Sequence, residues 1–309
     1  MNHQHTSALS GRSLLKALDV GADLAELRHA NLDSCGLTGF PVGVLKLTSL
    51  TTLSLFDNQL TEIPAEISQL RFLQTLNLSQ NSFTAVPDEI GTLENLRMLD
   101  LGHNRLAVLP ASLGALCNLE FLYLSNNQLD HLPHSTNALT NLRYLNLTDN
   151  DFRELPTWIG DLTNLIELRL YNNALTTLPA EIGALTRLVE LHAHHNHITT
   201  LPASIGQLSA LVKFDLQANH LAALPDSISE LTRLTELDLR FNDLTSLPAS
   251  LASLSALEYL DLRANALTTL PENLSRLTRL RKIDLRWNQL DSYQECLSVL
   301  SERGCIVYT

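Results

Sequence analysis

Apolar residues recur along this chain in a fixed pattern that is neither helical nor a simple alternation. Leucine returns every 23 residues, without insertion or deletion, from Leu27 to Leu280. Within each interval, further leucines stand at the fourth and sixth positions, as Leu53 and Leu55 do. Leu-x-Leu alternation predicts a short strand with one buried face, because successive strand side chains point to opposite sides. The pattern therefore predicts twelve parallel strands, one in each 23-residue repeat.

Proline and asparagine define the register more sharply. All 11 prolines stand at the fifteenth position of a repeat, from Pro41 to Pro271. Asparagine occupies the ninth position in 11 of the 12 repeats, and Cys35 replaces it in the first. An asparagine side chain can satisfy backbone groups that a turn leaves unpaired, so this column should bond one repeat to the next. Proline fixes its own φ and marks the turn into the outer, convex segment of each repeat.

The full repeat reads Leu-x-x-Leu-x-Leu-x-x-Asn-x-Leu-x-x-Leu-Pro-x-x-Ile-x-x-Leu-x-x, and Leu50 to Phe72 shows it whole. Over residues 27–290 this pattern resembles the leucine-rich repeat family. It is most similar to the 23-residue Leu-Pro-x-x-Ile type, which is found in plant intracellular Ras-group-related proteins, animal Ras-pathway scaffolds and many bacterial proteins. The resemblance implies an α/β repeat solenoid, a curved arc with a parallel sheet on its concave face, and a role in binding protein partners.

Both ends of such a solenoid need caps, because an uncapped end exposes the core. We expect the amphipathic run 12–27 to form a helix and residues 294–302 to form another, followed by a terminal strand over 304–308. Tyr293, Leu297 and Leu300 continue the apolar register, which then places Ile306 and Tyr308 in core positions. The predicted organisation is a disordered segment 1–11, a helical cap 12–26, repeats over 27–290 and a C-terminal cap 291–309.

Net charge and hydropathy limit which classes of partner and which cellular compartment we expect. The 21 basic and 33 acidic residues give a net charge of −12, whereas nucleic acid and anionic membranes favour basic patches. We therefore expect neither partner. The N-terminal residues carry no apolar stretch of the kind that a cleavable secretion signal needs. The expected location is the cytoplasm, and the alternative is export without a cleavable signal. Four cysteines match no zinc or redox spacing, so free thiols are expected.

Function should reside at repeat positions three, five and seven, which project from the strands onto the concave face. The first candidate zone there is aromatic, and large apolar side chains on a surface that should be wet often mark interfaces. The alternative is that these side chains only pack on one another and stiffen the sheet. The predicted partner-binding residues of this zone are Met98, Phe121, Tyr123, Tyr144 and Tyr171.

The second zone is the histidine-rich strand that contains His192 and His194, with Asp215 beside it in the next repeat. Two imidazoles and a carboxylate could hold a divalent metal. The sequence reveals no outer partners that would orient these ligands. We therefore assign neither a metal nor a cofactor from the sequence. Histidine-rich strands on solvated surfaces often bind nothing, and a contact sensitive to imidazole protonation is favoured over a metal site.

The third zone is charged. An aspartate column at position five runs beside an arginine column at position seven, and residues Lys213, Lys282, Phe241 and Trp287 border both. The plain interpretation is a solvated charge ladder, because exposed pairs contribute little stability. The alternative is a docking strip for a partner of complementary charge. The aspartates are Asp215, Asp238, Asp261 and Asp284, and the arginines, predicted to bind a partner, are Arg240, Arg263 and Arg286.

These patterns favour a protein-protein interaction module, an adaptor or scaffold that acts as a monomer. One alternative is a bacterial effector that binds a host protein after export. Another is a metal-binding or enzymatic role centred on the histidine-rich strand. The sequence carries no phosphate-binding glycine loop, nucleophile motif or HExxH metal motif, and we therefore expect no enzyme activity.

Overall fold

The computed structural model of the protein describes residues 10–291 and 294–309. These residues form two compact units that divide between Asn150 and Asp151. In both units a repeat consists of a three-residue strand, a turn and a five-residue 3-10 helix, which confirms the predicted α/β repeat solenoid. Among the described residues, no helix combines the length and the apolar character that crossing a bilayer requires.

The first unit begins with one α-helix, α1 (Gly11–Asp19), and continues as strands that each pair in parallel with the next. Equivalent core leucines stand opposite one another, as Leu53, Leu76 and Leu99 do. The strands are β1 (His29–Asn31), β2 (Thr52–Ser54), β3 (Thr75–Asn77), β4 (Met98–Asp100), β5 (Phe121–Tyr123) and β6 (Tyr144–Asn146). The 3-10 helices are Val42–Lys46, Ala65–Gln69, Asp88–Thr92, Ala111–Ala115 and His134–Ala138.

The second unit repeats this arrangement and ends with one α-helix, α2 (Glu295–Glu302), and a last strand. Its strands are β7 (Glu167–Arg169), β8 (Glu190–His192), β9 (Lys213–Asp215), β10 (Glu236–Asp238), β11 (Tyr259–Asp261), β12 (Lys282–Asp284) and β13 (Ile306–Tyr308). Its 3-10 helices are Thr157–Asp161, Ala180–Ala184, Ala203–Gln207, Asp226–Glu230, Ala249–Ser253 and Glu272–Arg276.

The asparagine column bonds each repeat to its neighbours as the sequence predicts. The side-chain nitrogen of Asn104 donates to the backbone oxygens of Leu101 (3.0 Å) and Leu78 (3.1 Å), the second in the preceding repeat. Its side-chain oxygen accepts from the backbone nitrogen of Phe83 at 3.0 Å. Asn104 is buried, so these bonds satisfy backbone groups that water cannot reach.

Each proline stands immediately before a 3-10 helix and fixes the direction in which that helix starts. Pro110, with φ −71°, accepts from the backbone nitrogen of Leu113 at 3.1 Å, which closes the first turn. The apolar residues at positions eighteen and twenty-one then anchor the helix, and Ile159 and Leu162 are both fully buried. Proline thus sets the entry angle, while the buried residues hold the helix against the core.

The N-terminal helix is shorter than the sequence pattern suggests. The prediction of a helix over 12–27 is wrong beyond Asp19, because the chain turns at Gly21. Gly21 adopts φ +67°, and the backbone nitrogens of Gly21 and Ala22 donate to Leu18 and Ala17, which is a Schellman helix end. Ser10 and Gly11 were both predicted to be disordered, but Ser10 bridges to Asn31 of β1 and Gly11 begins α1. The rest of that segment, residues 1–9, lies outside the described residues.

The C-terminal cap confirms the predicted helix and strand, but the strand is shifted by one residue. Lys282 pairs with Ile306, a spacing of 24 rather than 23 residues, so Val307 takes the core position. Ile306 and Tyr308 were expected in core positions and are instead 55% and 42% exposed. An α-helix rises about 1.5 Å per residue against about 2.0 Å in a 3-10 helix, so the last connection needs an extra residue. Tyr293 lies outside the described residues.

The residue at position eight of every repeat adopts a left-handed backbone, with φ between 51° and 63°, and none of these residues is glycine. In this conformation its backbone nitrogen and that of the following asparagine can donate to the next repeat. Asp57, for example, donates to Ser79 at 3.2 Å, and Asn58 donates to Gln80 at 3.2 Å. The parallel ladder therefore continues beyond the three-residue strands and imposes this conformation on the turn.

Candidate interaction surface

The side chains at positions three, five and seven lie on the side of each sheet opposite the leucine core, and we call this side the strand face. In β5, Leu122 is buried while Phe121 and Tyr123 are half-buried on the strand face. The alternation follows from the pleat of the strand. Because neighbouring strands share one register, equivalent positions of successive repeats form columns across the face.

The first unit brings four of the five predicted aromatic-zone residues together. Met98, Phe121 and Tyr144 are direct register partners in three successive strands. The rings of Tyr123 and Tyr144 lie 4.7 Å apart and are tilted by 36°. All four side chains are half-buried, and we call them the aromatic patch. Mutual packing and partial exposure therefore coexist in this patch.

Tyr171, the fifth predicted aromatic residue, belongs to the second unit. Its ring stacks on the imidazole of His194 with centroids 4.3 Å apart and an angle of 10° between the planes. Within its own unit it is therefore part of the histidine-rich region. The sequence placed it by repeat position alone, and the stacked contact depends on the side-chain rotamers.

The histidine-rich strand also brings its predicted residues together. His192 stands directly opposite Asp215 in the register of β8 and β9. One candidate ligand atom from each of His192, His194 and Asp215 lies within 4.8 Å of the other two. Asp215 is 3.0 Å from Nδ1 of His194, and Glu190 is 2.9 Å from Nε2 of His192. We call these four residues the histidine cluster.

The three predicted arginines each pair with the aspartate two residues earlier in the same repeat. Arg263 binds Asp261 through Nε (2.9 Å) and Nη2 (2.6 Å). Arg286 binds Asp284 through Nε (2.9 Å) and Nη2 (2.7 Å). Nε of Arg240 lies 3.1 Å from Asp238, and it also donates to Gln217 at 2.8 Å. The charged columns are therefore a lattice of ion pairs on the strand face.

Burial and neighbouring charges separate the pKa values of the aspartates. Burial raises the pKa of Asp238 to about 6, and the negative charges of Asp215 and Asp261 add to this effect against the hydrogen bond from the Arg240 backbone. Burial also acts to raise the pKa of Asp284, but hydrogen bonds from Arg286 and the charges of Arg286 and Arg263 outweigh it. The pKa of Asp284 consequently lies below its ordinary value, although its side chain is only 1% exposed.

Strands β9 to β12 enclose a shallow concavity of about 490 Å³ on the strand face. Its lining combines the aspartate column with position-three residues of both signs, including Lys213, Glu236 and Lys282. Tyr259, also in the lining, is 42% exposed. The concavity can accommodate polar and cationic groups of a partner, and its mixed charges would select among them.

Phe241 and Trp287, predicted only to border the charged columns, are among the most exposed large side chains of the described second unit. Phe241 is 47% exposed and Trp287 is 66% exposed. Both occupy the left-handed position eight, and their rings approach to 6.4 Å although Ala264 occupies that position in the repeat between them. The sequence could have indicated this surface, because Phe241 and Trp287 stand at a repeat position that small and polar residues occupy elsewhere in the described chain.

The shift of β13 creates a second exposed apolar group that the sequence did not predict. Tyr308 now lies on the strand face, where the Arg286 guanidinium is 5.0 Å from its ring centroid and the Lys282 ammonium is 5.3 Å away. Arg286 is also 5.8 Å from the Trp287 ring. Arg286 thus links Asp284, Tyr308 and the exposed tryptophan in a single contact network.

Comparisons with known proteins agree with the repeat pattern. A family model described as "Leucine-rich repeat region" matches residues 125–197 and 194–302. A second model, described as "Leucine rich repeat", matches residues 48–106, 72–129 and 94–152. No curated protein sequence matches the chain.

Several solved structures share the fold. A leucine-rich repeat protein of Leptospira interrogans is 27% identical with a TM-score of 0.67, and the match covers 98% of this chain and 100% of that one. An internalin of Listeria monocytogenes is 25% identical with a TM-score of 0.76, covering 86% and 75%. The ectodomain of the Arabidopsis receptor kinase HAESA, solved with a peptide hormone ligand, is 32% identical with a TM-score of 0.70. That match covers 84% of this chain and 46% of the ectodomain.

Proposed function

The chain belongs to the leucine-rich repeat family, and from this premise we propose that it is an adaptor that binds a protein partner on its strand face. Structures similar to it include a receptor ectodomain solved with a peptide ligand, which supports a role in protein-protein interaction. The side chains of this chain, and not those of the similar structures, indicate the binding face. We expect the strand face to be the concave side of the solenoid.

The aromatic patch is the observation that carries the proposal. Met98, Phe121 and Tyr144 are half-buried on a face whose other columns are mostly polar or charged. Aromatic side chains supply much of the binding energy at protein interfaces, because they bury large areas at a low cost in conformational entropy. Such residues are already partly ordered by contact with one another, as Tyr123 and Tyr144 show, so less entropy is lost on binding.

In the second unit we propose Tyr171, Arg240, Arg263 and Arg286 as partner contacts. The arginines are already oriented by aspartates, and an oriented guanidinium loses less freedom when it meets a partner carboxylate or aromatic ring. Phe241 and Trp287 directly follow Arg240 and Arg286 in the turns of their repeats, and they extend this surface with exposed apolar area. Truncating these aromatic side chains should weaken binding more than truncating an exposed charged residue.

We also propose that the protein acts as a monomer in the cytoplasm. All four cysteines lie within the described residues and are free thiols. Burial raises the pKa of Cys296 and of Cys305, which keeps both thiols protonated and unreactive. Free thiols persist in a reducing compartment, which supports the cytoplasmic assignment. Fractionation of the source cells should recover the protein with cytoplasmic markers, and recovery in the medium would contradict this.

Site-specific photocrosslinking tests the proposed face directly. A benzophenone side chain is placed at Phe121 in one protein and at Phe72 in another, since Phe72 is an aromatic residue outside the strand face and 62% exposed. In lysate of the source organism we expect a discrete crosslinked protein from position 121 and none from position 72. Crosslinking from position 72 alone would place the partner on another surface.

A matched pair of variants measures the energetic role of the patch. We expect Phe121→Ala/Tyr144→Ala to reduce affinity for the crosslinked partner at least about tenfold, since each truncation at a hot spot costs more than about 1 kcal/mol. Phe72→Ala should leave affinity unchanged. Denaturation curves establish that both variants are folded. Equal affinities for all three proteins would contradict the proposed role of the patch.

A further inference from the structure

We propose that the histidine cluster is a binding site for a zinc-class divalent transition metal, with His192, His194 and Asp215 as its protein ligands and Glu190 as an outer partner. The site would hold one ion on the strand face of the second unit. It involves none of the aromatic-patch residues, and its metal affinity can be measured without any protein partner.

The backbone brings the three ligands close together before any ion binds. His192 and His194 are two residues apart and share a face, and Asp215 is the register partner of His192 on β9. Their candidate ligand atoms all lie within 4.8 Å of one another, whereas tetrahedral zinc needs donors about 3.4 Å apart. His194 and Asp215 already approach to 3.0 Å, so modest side-chain rotations complete the geometry.

The two strands beneath the cluster are held rigidly. Ala193, fully buried between the two histidines, donates from its backbone nitrogen to Asp215 at 2.8 Å. Its backbone oxygen accepts from the side chains of Asn196 (3.1 Å) and Asn219 (3.0 Å), which belong to successive repeats. A site built on strands that are fixed in this way keeps its ligands close to the binding geometry.

The ring of His194 is positioned to bind a cation. Its Nδ1 atom is buried, and no described residue gives it a well-aligned hydrogen bond, although Asp215 lies 3.0 Å away. A metal ion placed between this nitrogen and the carboxylate of Asp215 would be ligated by both groups. Stacking on Tyr171 at 4.3 Å fixes the plane of the ring.

His192 has the outer partner that the sequence could not reveal. It is 8% exposed, and Glu190 holds it by a 2.9 Å contact to Nε2. Metal-binding histidines commonly carry such a carboxylate, which fixes the ring orientation and increases its basicity. Glu167 completes a second group with Glu190 and His192, and it is paired with Arg169, the register partner of His192 on β7. Glu190 and Asp215 therefore each place one carboxylate against an imidazole, and their negative charge favours a cation.

The donor set indicates which cations fit. Calcium and magnesium take oxygen ligands almost exclusively, whereas two imidazoles and one carboxylate are typical ligands of zinc and its neighbours. Three protein ligands leave the fourth position of a tetrahedral ion for a further donor. That position is accessible to water or to a donor group from a binding partner.

Isothermal titration of the purified, untagged full chain with zinc chloride tests the proposal. Every protein compared carries His3→Ala and His5→Ala, so that histidines outside the described residues do not contribute. We expect one ion per chain, an affinity at least about 100-fold weaker in His194→Gln, and an affinity about 10–100-fold weaker in Glu190→Gln. Titration with cobalt should produce the intense visible absorption of a tetrahedral site in the parent and not in His194→Gln.

A double variant outside the cluster provides the control. His197 and His220 form a stacked pair 5.8 Å apart in the same unit, and His197→Ala/His220→Ala removes as many imidazoles as the cluster contains. This variant should bind zinc as the parent does. Asp215→Asn serves as a second ligand variant should His194→Gln fail to fold. An absence of zinc binding, or equal affinity in the cluster and control variants, would overturn the proposal and leave the histidines as ion-pair partners of Glu190 and Asp215.

Discussion

The left-handed residue at position eight is imposed by its neighbours and not by its own side chain. Serine, aspartate, histidine, alanine, phenylalanine and tryptophan all occupy this position with φ between 51° and 63°. A left-handed conformation costs an L-residue roughly 1–2 kcal/mol. Phe241 and Ala264 make the same ladder bond, donating to Arg263 at 2.8 Å and to Arg286 at 2.9 Å. The ladder therefore offsets a local strain in every repeat.

Glycine should relieve this strain where the side chain makes no other contribution. We expect Ala264→Gly to increase the free energy of unfolding by about 0.5–1 kcal/mol, because relief of the left-handed strain exceeds the added chain entropy. The control is Ala266→Gly, two residues away and outside the left-handed positions, which should lower it by about 0.5–1 kcal/mol. Chemical denaturation measures both changes, and the same sign for both variants would contradict the strain.

Phe241 and Trp287 retain large exposed rings in this unfavourable conformation. Bulky residues with positive φ are uncommon, but the ladder imposes this conformation in every repeat, so only the size of the two side chains sets these positions apart. Neither ring is buried in the core, since the two are 47% and 66% exposed. Their exposed rings agree with the proposed extension of the binding surface.

Asp238 should make stability depend on pH. Its folded pKa of about 6 lies above the unfolded value, so the folded state binds more protons between about pH 4 and 6. The stability that the protonated Asp238 carboxyl contributes is fully present below about pH 4 and is lost as the pH rises through about 6. Asp238→Asn should therefore have little effect at pH 4 and increase the free energy of unfolding by about 1–3 kcal/mol at pH 7.

Asp284→Asn is the control, because it should change the free energy of unfolding at pH 7 in the opposite direction. The pKa of Asp284 lies below its usual value, so its ionised form stabilises the fold and the substitution should destabilise the protein at pH 7. Denaturation series at both pH values give the comparison. A pH-independent effect of Asp238→Asn would show that the carboxyl is not perturbed by burial and its neighbours.

At the scale of elements, the outer 3-10 helices pack closely because small residues separate them. A Cβ atom built on Gly114 would lie 2.3 Å from the backbone oxygen of Ser135 and 2.6 Å from its Cβ. The same clash with the next repeat occurs at Gly160, Gly183 and Gly206. Glycine here provides space, and none of these four residues has a positive φ.

Gly114→Ala should accordingly destabilise the first unit. We expect the free energy of unfolding to fall by about 1–3 kcal/mol, because the added methyl group meets backbone that must shift. Gly39→Ala in the same unit adds a methyl group with nothing within 4 Å and should be neutral or slightly stabilising. Thermal and chemical denaturation compare the two, and equal stability would mean that the helices can separate at little cost.

The two α-helices end in the same way. Gly304 has φ +89°, and Gly304 and Cys305 donate to Ser301 and Leu300, which reproduces the Schellman pattern at Gly21. Both glycines are visible in the sequence, where Gly304 follows the predicted helix 294–302 and Gly21 lies inside the predicted helix 12–27. The extent of α1 could therefore have been predicted from Gly21, whereas the apolar periodicity alone carried the prediction too far.

At the scale of the whole chain, the repeat explains why so much of the fold follows from the sequence. Each leucine, asparagine and proline is constrained by equivalent residues 23 positions away, so a single register locates the described strands β1 to β12. The register fails at β13, where a different helix type changes the residue count of the connection. Periodicity predicts position along the chain, and it holds only while the connecting structure remains the same.

The candidate sites were predictable as columns but not as contacts. The sequence placed Arg263 in a column beside Asp261, while the bidentate pairing depends on rotamers that no repeat pattern specifies. It likewise brought His192, His194 and Asp215 together, but gave no indication that Glu190 or Tyr171 would orient the imidazoles. Side-chain packing across neighbouring strands supplies this missing information.

The fixed sequence separation between each asparagine and its hydrogen-bond partners limits how such a chain can change in length. Asn104 contacts residues 21 and 26 positions earlier, and Asn242 contacts residues at the same separations. Recombination that duplicates or removes one complete 23-residue segment gives every asparagine an equivalent partner again. A gain or loss of any other number of residues breaks this correspondence at the junction. The molecule can therefore evolve a longer or shorter recognition surface in whole repeats, while each intermediate gene still encodes a bonded interior.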